Sequence, residues 1–290
     1  SLAMNSRREI FSNPRVREAL SYAYDHEWIN KVLYDNAYTR TDSYFDNSPL
    51  ASSGLPSKEE LKLLNPWKDR LPEEIFTKTY KPPISDGSGT PRDNLRIAKT
   101  MLEEEGWKIE NGKLMKEGKE FVFEFLIVSP SVERLALAFQ KTLETLGITM
   151  SVRTVDSSQY QARMLDYDFD MIKNSWRVSL SPGNEQQFYW GSDVGKKEGS
   201  KNYAGVDSPV VDLLIEKLIG AKTRDELTTT IHALDRVLLW GHYVIPLYHS
   251  AIDRIAYWNF LEYPDNIPLY GIVIESWWAN LEKRQQLKKQ

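Results

Sequence analysis

The sequence has 290 residues, of which 41% are hydrophobic and 12% aromatic, so it can bury a sizeable core. Its formal net charge of −4 gives no general attraction to nucleic acid or to an anionic membrane surface. The lack of cysteine excludes disulfides, thiolate metal sites and cysteine nucleophiles. No apolar run approaches the roughly 20 residues that a membrane helix needs, so we expect no membrane insertion.

The first residues, Ser1-Leu2-Ala3-Met4, lack the basic and apolar regions of a signal peptide. Ser-Leu-Ala ahead of a methionine is the kind of sequence that an appended tag leaves. We therefore expect residues 1–12 to be a tag remnant and lead-in, with any export signal lost from a longer precursor.

An amphipathic helix is predicted from Pro14 to about Val32, because apolar residues recur at helical spacing and Asn13 is a suitable N-cap. Residues 39–90 carry prolines scattered among serines, aspartates and glycines. So many backbone restrictions predict a long wrapped loop, with at most a short helical turn near residues 57–64.

The next part of the chain alternates between helix and strand patterns. A helix ending at Gly106 and a hairpin turning at Asn111-Gly112 come first. Strand, helix, strand, helix and strand are then predicted at 121–128, 131–146, 148–155, 157–165 and 169–176. This order predicts an α/β fold, with a mixed, partly parallel sheet and flanking helices.

Two helices, 209–219 and 223–239, are predicted next, the second with a capping box between Thr223 and Glu226. Strands are predicted at 245–248 and 254–258, and the polar residues 285–290 are expected to fray.

No catalytic motif is present, so we predict no catalytic residue, metal or cofactor. The four histidines lie in no metal-binding pattern. Asp166, Asp168 and Asp170 resemble the start of a calcium loop, but Met171 and Arg177 occupy positions where that loop needs glycine and glutamate.

The stretch from Asn174 to Trp190 is the candidate binding region. It follows a predicted strand, and ligands of open α/β sheets bind beyond the carboxyl ends of strands. Aromatic rings next to polar groups suit a polar, elongated ligand. The candidate ligand-binding residues here are Asn174, Trp176, Arg177, Ser179, Ser181, Asn184, Glu185, Gln186 and Tyr189.

The segment from Asn13 to Asp25 resembles the entry into the second lobe of family 5 extracellular solute-binding proteins, which include oligopeptide and dipeptide binders. Landmarks downstream occur in the family's order, among them Trp176, the segment 202–206 containing Tyr203, and Ile245-Pro246-Leu247-Tyr248. The segments 179–186 and 189–192 look most like the Yej-type branch, which is associated with peptide and microcin C uptake.

The resemblance implies the second lobe of a type II periplasmic binding protein, spanning residues 13–245, with residues 246–290 returning to a missing first lobe. It implies a monomeric periplasmic component of an ABC importer that closes on a peptide and delivers it to an inner-membrane permease. Trp176 would line the cleft beside a strand that pairs with peptide backbone, and Tyr203 would join the site. Where oligopeptide binders place an aspartate for the peptide's amino terminus, this sequence has Ser179, so Glu185 is the substitute candidate.

Two other classes remain open from the residues alone. A hydrolase or transferase could use paired carboxylates such as Asp170 and Glu185, if both pointed into one cleft. A chaperone-like domain could hold a partner protein on a broad apolar patch. By itself, a single lobe is expected to bind peptide much more weakly than the whole protein, because it supplies only part of the contact area.

Overall fold

The computed structural model describes residues 1–268 and 271–287, and it divides them into two compact units, residues 1–249 and 250–290. The helices of the first unit are α1 Glu9–Ser12, α2 Pro14–Ala23, α3 His26–Tyr34, α4 Lys58–Leu64, α5 Glu74–Thr77, α6 Arg92–Glu104, α7 Pro130–Glu144, α8 Ser157–Leu165, α9 Glu185–Trp190, α10 Ser192–Gly195, α11 Pro209–Ile219 and α12 Arg224–Trp240. Its strands are β1 Leu2–Met4, β2 Thr39–Arg40, β3 Lys108–Glu110, β4 Lys113–Lys116, β5 Lys119–Glu120, β6 Val122–Ile127, β7 Thr149–Thr154, β8 Met171–Lys173, β9 Val244–Ile245 and β10 Tyr248–His249.

The central sheet has five strands in the order β7-β6-β8-β1-β9. β6 is parallel to both β7 and β8, whereas β1 is antiparallel to β8 and β9. Helix α7 packs on β6 and β7 and also against α2 and α3. This arrangement confirms the predicted α/β class with a mixed, partly parallel sheet.

Residues 1–12 differ from the expected lead-in. Leu2, Ala3 and Met4 are fully buried and form β1 in the interior of the sheet, between β8 and β9. A three-residue apolar segment is too short to show a periodicity, and the strands that pair with it lie far away in sequence. The sequence therefore could not distinguish a central strand from a tag.

The predicted opening helix is two helices, α2 and α3, which separate at Tyr24. Asn13 caps α2 as predicted, accepting a bond from the Arg15 amide at 2.8 Å. The Asp25 carboxylate then accepts from the Trp28 amide at 2.9 Å and starts α3. An N-cap residue leaves helical geometry, so the second cap interrupts a pattern that looked continuous.

The wrapped segment 39–90 contains short helices and is attached to α12 by buried charges. Asp235 accepts bonds from Ser43 Oγ at 2.8 Å and from the Tyr44 amide at 2.9 Å, and it also holds the amide and hydroxyl of Ser52. Arg236 pairs with Glu60 at 2.6 Å. Burial raises the pKa of the Asp235 carboxyl, and the hydrogen bonds that it accepts oppose that shift.

The end of the first unit also differs from expectation. Residues 246–249, assigned from the sequence to the returning segment, stay with the first unit, where β10 pairs antiparallel with β2. Strand β8 stops at Lys173, three residues before Trp176.

The second unit, residues 250–290, contains β11 Leu261–Glu262 paired with β12 Trp278–Ala279, and α13 Leu281–Leu287. Residues 254–258, predicted as a strand, lie outside regular secondary structure. Of the residues expected to fray, 285–287 belong to α13 and 288–290 lie outside the described residues. Within the described ranges, the helices are all too short or too polar to cross a membrane.

The position of β1 predicts that Leu2→Ala lowers the free energy of unfolding by about 2–5 kcal/mol, because it removes a fully buried side chain from the sheet centre. Chemical denaturation would measure this change. Leu137→Ala is the matched control, since the Leu137 side chain is 49% exposed on α7 and its truncation should cost much less. Equal effects of both substitutions would contradict a central β1.

The attachment at α12 predicts that Asp235→Ala frees residues 43–52 and costs on the order of 3 kcal/mol, because several loop donors lose one buried acceptor. Hydrogen exchange would detect faster exchange of the Tyr44 and Ser52 amides. Asp225→Ala removes an exposed carboxylate from the first turn of the same helix and should leave those amides protected.

Candidate functional site

An open pocket of about 200 Å³ lies beside the end of β8. Asn174, Ser175, Trp176 and Val178 form one side of it. The other lining residues come from the segment after β2 and from the last part of the first unit: Thr41, Ser43, Tyr44, Asp46, Leu239, Val244, Pro246, Tyr248 and His249, together with Ser1. The pocket therefore joins segments that lie at opposite ends of the sequence.

Asn174 continues the sheet where β8 ends. Its amide donates to the Ser1 carbonyl at 3.0 Å, and its own carbonyl accepts from the Ser1 hydroxyl at 3.1 Å. From Ser175 onward the backbone lies outside regular secondary structure. The chain thus enters the pocket as an irregular segment anchored at one end by the sheet.

Trp176 is half-buried, and two contacts fix the position of its ring. Its Nε1 donates to the Lys201 carbonyl at 2.9 Å, and its ring lies 4.6 Å from the buried ring of Trp190. Tyr44 meets Trp190 edge-on at 5.0 Å, and Tyr203 lies 6.4 Å from Trp176. These contacts form an aromatic wall, and its half-buried member Trp176 lines the pocket.

The remaining candidate residues do not line the pocket, and two of them support the aromatic wall. Tyr189 is buried and its hydroxyl donates to the Arg177 carbonyl at 3.2 Å. Gln186 is fully buried and accepts from Trp190 Nε1 at 3.1 Å. Arg177, Ser181 and Asn184 are exposed on the loop and are not among the residues that line the pocket.

Ser179, which replaces the family's aspartate, and Glu185, the substitute candidate for amino-terminus recognition, are both engaged in local turns. Ser179 Oγ accepts from the Ser181 amide at 3.1 Å. Both carboxylate oxygens of Glu185 accept from the Gly183 amide, at 3.0 and 3.1 Å. Asp170, its suggested catalytic partner, is bound by the Glu124 amide and by Arg8. The structure therefore holds Asp170 and Glu185 with separate partners.

One side of the pocket, formed by Tyr44, Asp46, Tyr248 and His249, was not predicted from the sequence. Tyr248 stacks on Tyr38 at 4.4 Å, and burial raises its pKa. Burial also raises the pKa of Tyr44. The adjacent aromatics Tyr44-Phe45 were the one available signal, because large rings inside a polar loop indicate that the loop packs against something.

Other features offer weaker sites. A pocket of about 290 Å³ between α9, α10 and α11 is lined by residues such as Gln187 and Asp212, and it contains none of the candidate residues. Within residues 1–268 and 271–287, no group of three histidine, aspartate or glutamate side chains could hold a metal ion.

A family model described as bacterial extracellular solute-binding proteins, family 5 Middle, matches residues 1–198. Protein y4wM of Sinorhizobium fredii, described as uncharacterized, is 45% identical over 282 residues, which cover 96% of this chain and 42% of the relative. The probable peptide-binding protein YejA of Agrobacterium fabrum is 42% identical over 278 residues, which cover 95% of this chain and 45% of YejA. The peptidoglycan-binding protein YepA of the same organism is 41% identical over 279 residues, covering 96% and 45%. The chain thus spans a little under half the length of these relatives.

Solved structures give the same fold. The oligopeptide-binding protein AppA from Bacillus subtilis, in complex with a nonapeptide, superposes with a TM-score of 0.68 at 22% identity, covering 96% of this chain and 50% of AppA. NikZ from Campylobacter jejuni, in complex with Ni(L-His), gives 0.67 at 19% identity, covering 86% and 44%. The likeness confirms the expected type II periplasmic binding protein fold, and the family match confirms the resemblance read from the sequence. The chain belongs to the family 5 bacterial extracellular solute-binding proteins.

Proposed function

We propose that this chain is the C-terminal ligand-binding lobe of a monomeric periplasmic protein that binds extended oligopeptides and delivers them to an inner-membrane ABC permease. The observation that carries the proposal is the pocket in which Asn174 and Trp176, expected at the ligand, meet aromatic and polar residues from β10 and from the segment after β2. A relative named as a probable peptide-binding protein supports the peptide as ligand.

The pocket geometry suits a peptide for two reasons. Asn174, Ser175, Trp176 and Val178 continue from the sheet along the pocket edge, and an extended peptide is the kind of ligand that aligns with such a segment. Trp176 offers a rigid ring whose position is fixed by Trp190 and by the Lys201 carbonyl. A preorganised ring loses little conformational entropy when a ligand packs on it.

No chemistry on the ligand is proposed. The carboxylates suggested for hydrolysis, Asp170 and Glu185, are each bound by other donors. Acid–base catalysis by two carboxyl groups would need both in one cleft, with the pKa of one of them raised. Binding without turnover also agrees with the binding proteins found among the relatives and structural neighbours.

We also propose that residues 250–290 pack against the other half of the longer polypeptide. This unit exposes large apolar side chains, with Ile274 72%, Trp258 67% and Leu281 65% exposed. Apolar surface of this kind marks an interface. The same surface would serve a chaperone-like domain, but the pocket of the first unit favours ligand binding.

A calorimetric titration of a tripeptide library against the full-length protein tests the proposal. We expect peptide binding, and Trp176→Ala should weaken it on the order of 30-fold, the usual effect of truncating a central aromatic contact. Phe188→Ala is the control, because Phe188 lies on α9 and does not line the pocket.

The proposal would be wrong if no peptide binds above background while a sugar or a metal chelate does. Since one relative is named a peptidoglycan-binding protein, a peptidoglycan-derived glycopeptide belongs in the same titration. Tighter binding of that compound than of any plain peptide would change the ligand class but keep the binding role.

A further inference from the structure

The pocket beside Trp176 is lined by one carboxylate, and neither lysine nor arginine is among its described lining residues. Among the described residues that line it, Asp46 is the acidic side chain and His249 is the basic one. The rest of the lining is aromatic, apolar or neutral polar. A guest that enters this pocket therefore meets negative charge at one place, and a cationic group would be attracted there.

Asp46 is held in position by its own loop. Its Oδ1 accepts from the Asn47 amide at 2.7 Å, and its Oδ2 accepts from the Asp42 amide at 3.0 Å. Asn47 adopts a left-handed conformation with φ 57°, which is typical of asparagine in a tight turn. An ionised carboxylate offers about four acceptor positions, so two backbone bonds leave room for a ligand donor. The Asp46 side chain is 20% exposed and therefore accessible.

Two more polar side chains of the pocket lie beside the Asp46 carboxylate. His249 Nδ1 lies 3.4 Å from Asp46 Oδ2 and 3.3 Å from Thr41 Oγ1. Both Thr41 and His249 line the pocket with Asp46. An alkylammonium group has three N–H donors and needs several acceptors in a small volume. The carboxylate and the hydroxyl provide acceptors in such a volume, and the imidazole adds one in the tautomer whose Nδ1 carries no proton.

We propose that Asp46 binds an alkylammonium group of the ligand, with the α-ammonium of a peptide as the first candidate. The inference rests on the proposed peptide-binding function and names the residue that receives the cationic end. Ser179 and Glu185 are less suited because neither lines the pocket. The residue assigned to bind the cation thus lies in the segment after β2, and not in the loop after β8.

The test uses the full-length protein and the tripeptide that binds most tightly, with a free and with an acetylated amino terminus. We expect Asp46→Asn to weaken the free peptide about 10- to 100-fold, the loss of one charge-assisted hydrogen bond. The acetylated peptide should bind both proteins equally. The asparagine keeps an acceptor for the Asp42 or Asn47 amide, and equal melting temperatures would show that the loop is intact.

Asp42→Asn is the matched control. It removes the same charge from the same loop, but the Asp42 carboxylate pairs with Lys81 at 2.5 Å and does not line the pocket. Peptide affinity should therefore remain unchanged. An acetylated peptide that contains lysine is the further comparison. If Asp46→Asn weakens its binding, the lysine side-chain ammonium is the cation that Asp46 binds.

The outcomes separate this inference from the proposed function. Failure of the unchanged protein to bind any peptide would overturn both. Tight peptide binding that Asp46→Asn leaves untouched, or weakens equally for free and acetylated peptides without lysine, would overturn the assignment of Asp46 alone.

Discussion

Asp235 and Arg236 are neighbours on α12, and both are buried charged residues whose partners come from the loop between Ser43 and Glu60. Successive residues on a helix point about 100° apart, so the two side chains hold different parts of that loop. Asp235 collects donors from Ser43, Tyr44 and Ser52, while Arg236 donates to the carbonyls of residues 53–55 and pairs with Glu60. A segment with little regular structure is thereby fixed to a long helix.

The pocket depends on this attachment because the same loop supplies Thr41, Ser43, Tyr44 and Asp46 to its lining. The opposite side is fixed differently, through Trp176 on the buried Trp190 and through the sheet contacts of Asn174. One side is therefore held by buried charge and hydrogen bonds, and the other by aromatic packing. Both leave polar atoms facing the pocket, which suits a guest with a polar backbone.

The features that were predicted correctly from the sequence depend on interactions between neighbouring residues. Helix α12 begins with the predicted capping box, and the hairpin turns at Asn111 and Gly112 with positive φ at both residues. Trp176 was identified because it follows a strand in an α/β pattern, and the pocket contains it. These features depend on residues that are close in sequence.

The features that the sequence did not predict depend on distant partners. Asp235 is separated from Tyr44 by 191 positions, and the pairing of β10 with β2 is equally remote. A serine and a tyrosine in a proline-rich segment give no sign that a helix near the other end will bind them. Asp46 was overlooked for the same reason, since its position in the pocket is set by that distant attachment.

The place of β1 has a consequence for how the chain is made. β1 is first in the sequence, yet one of its neighbours, β9, ends at Ile245. During synthesis, the edge of β1 that will face β9 stays unpaired until nearly all of the first unit has left the ribosome. Contacts between such remote segments slow folding because a long loop must close before they form. Until β9 is made, the apolar β1 keeps one unpaired edge, and an unpaired strand edge is prone to associate with other chains.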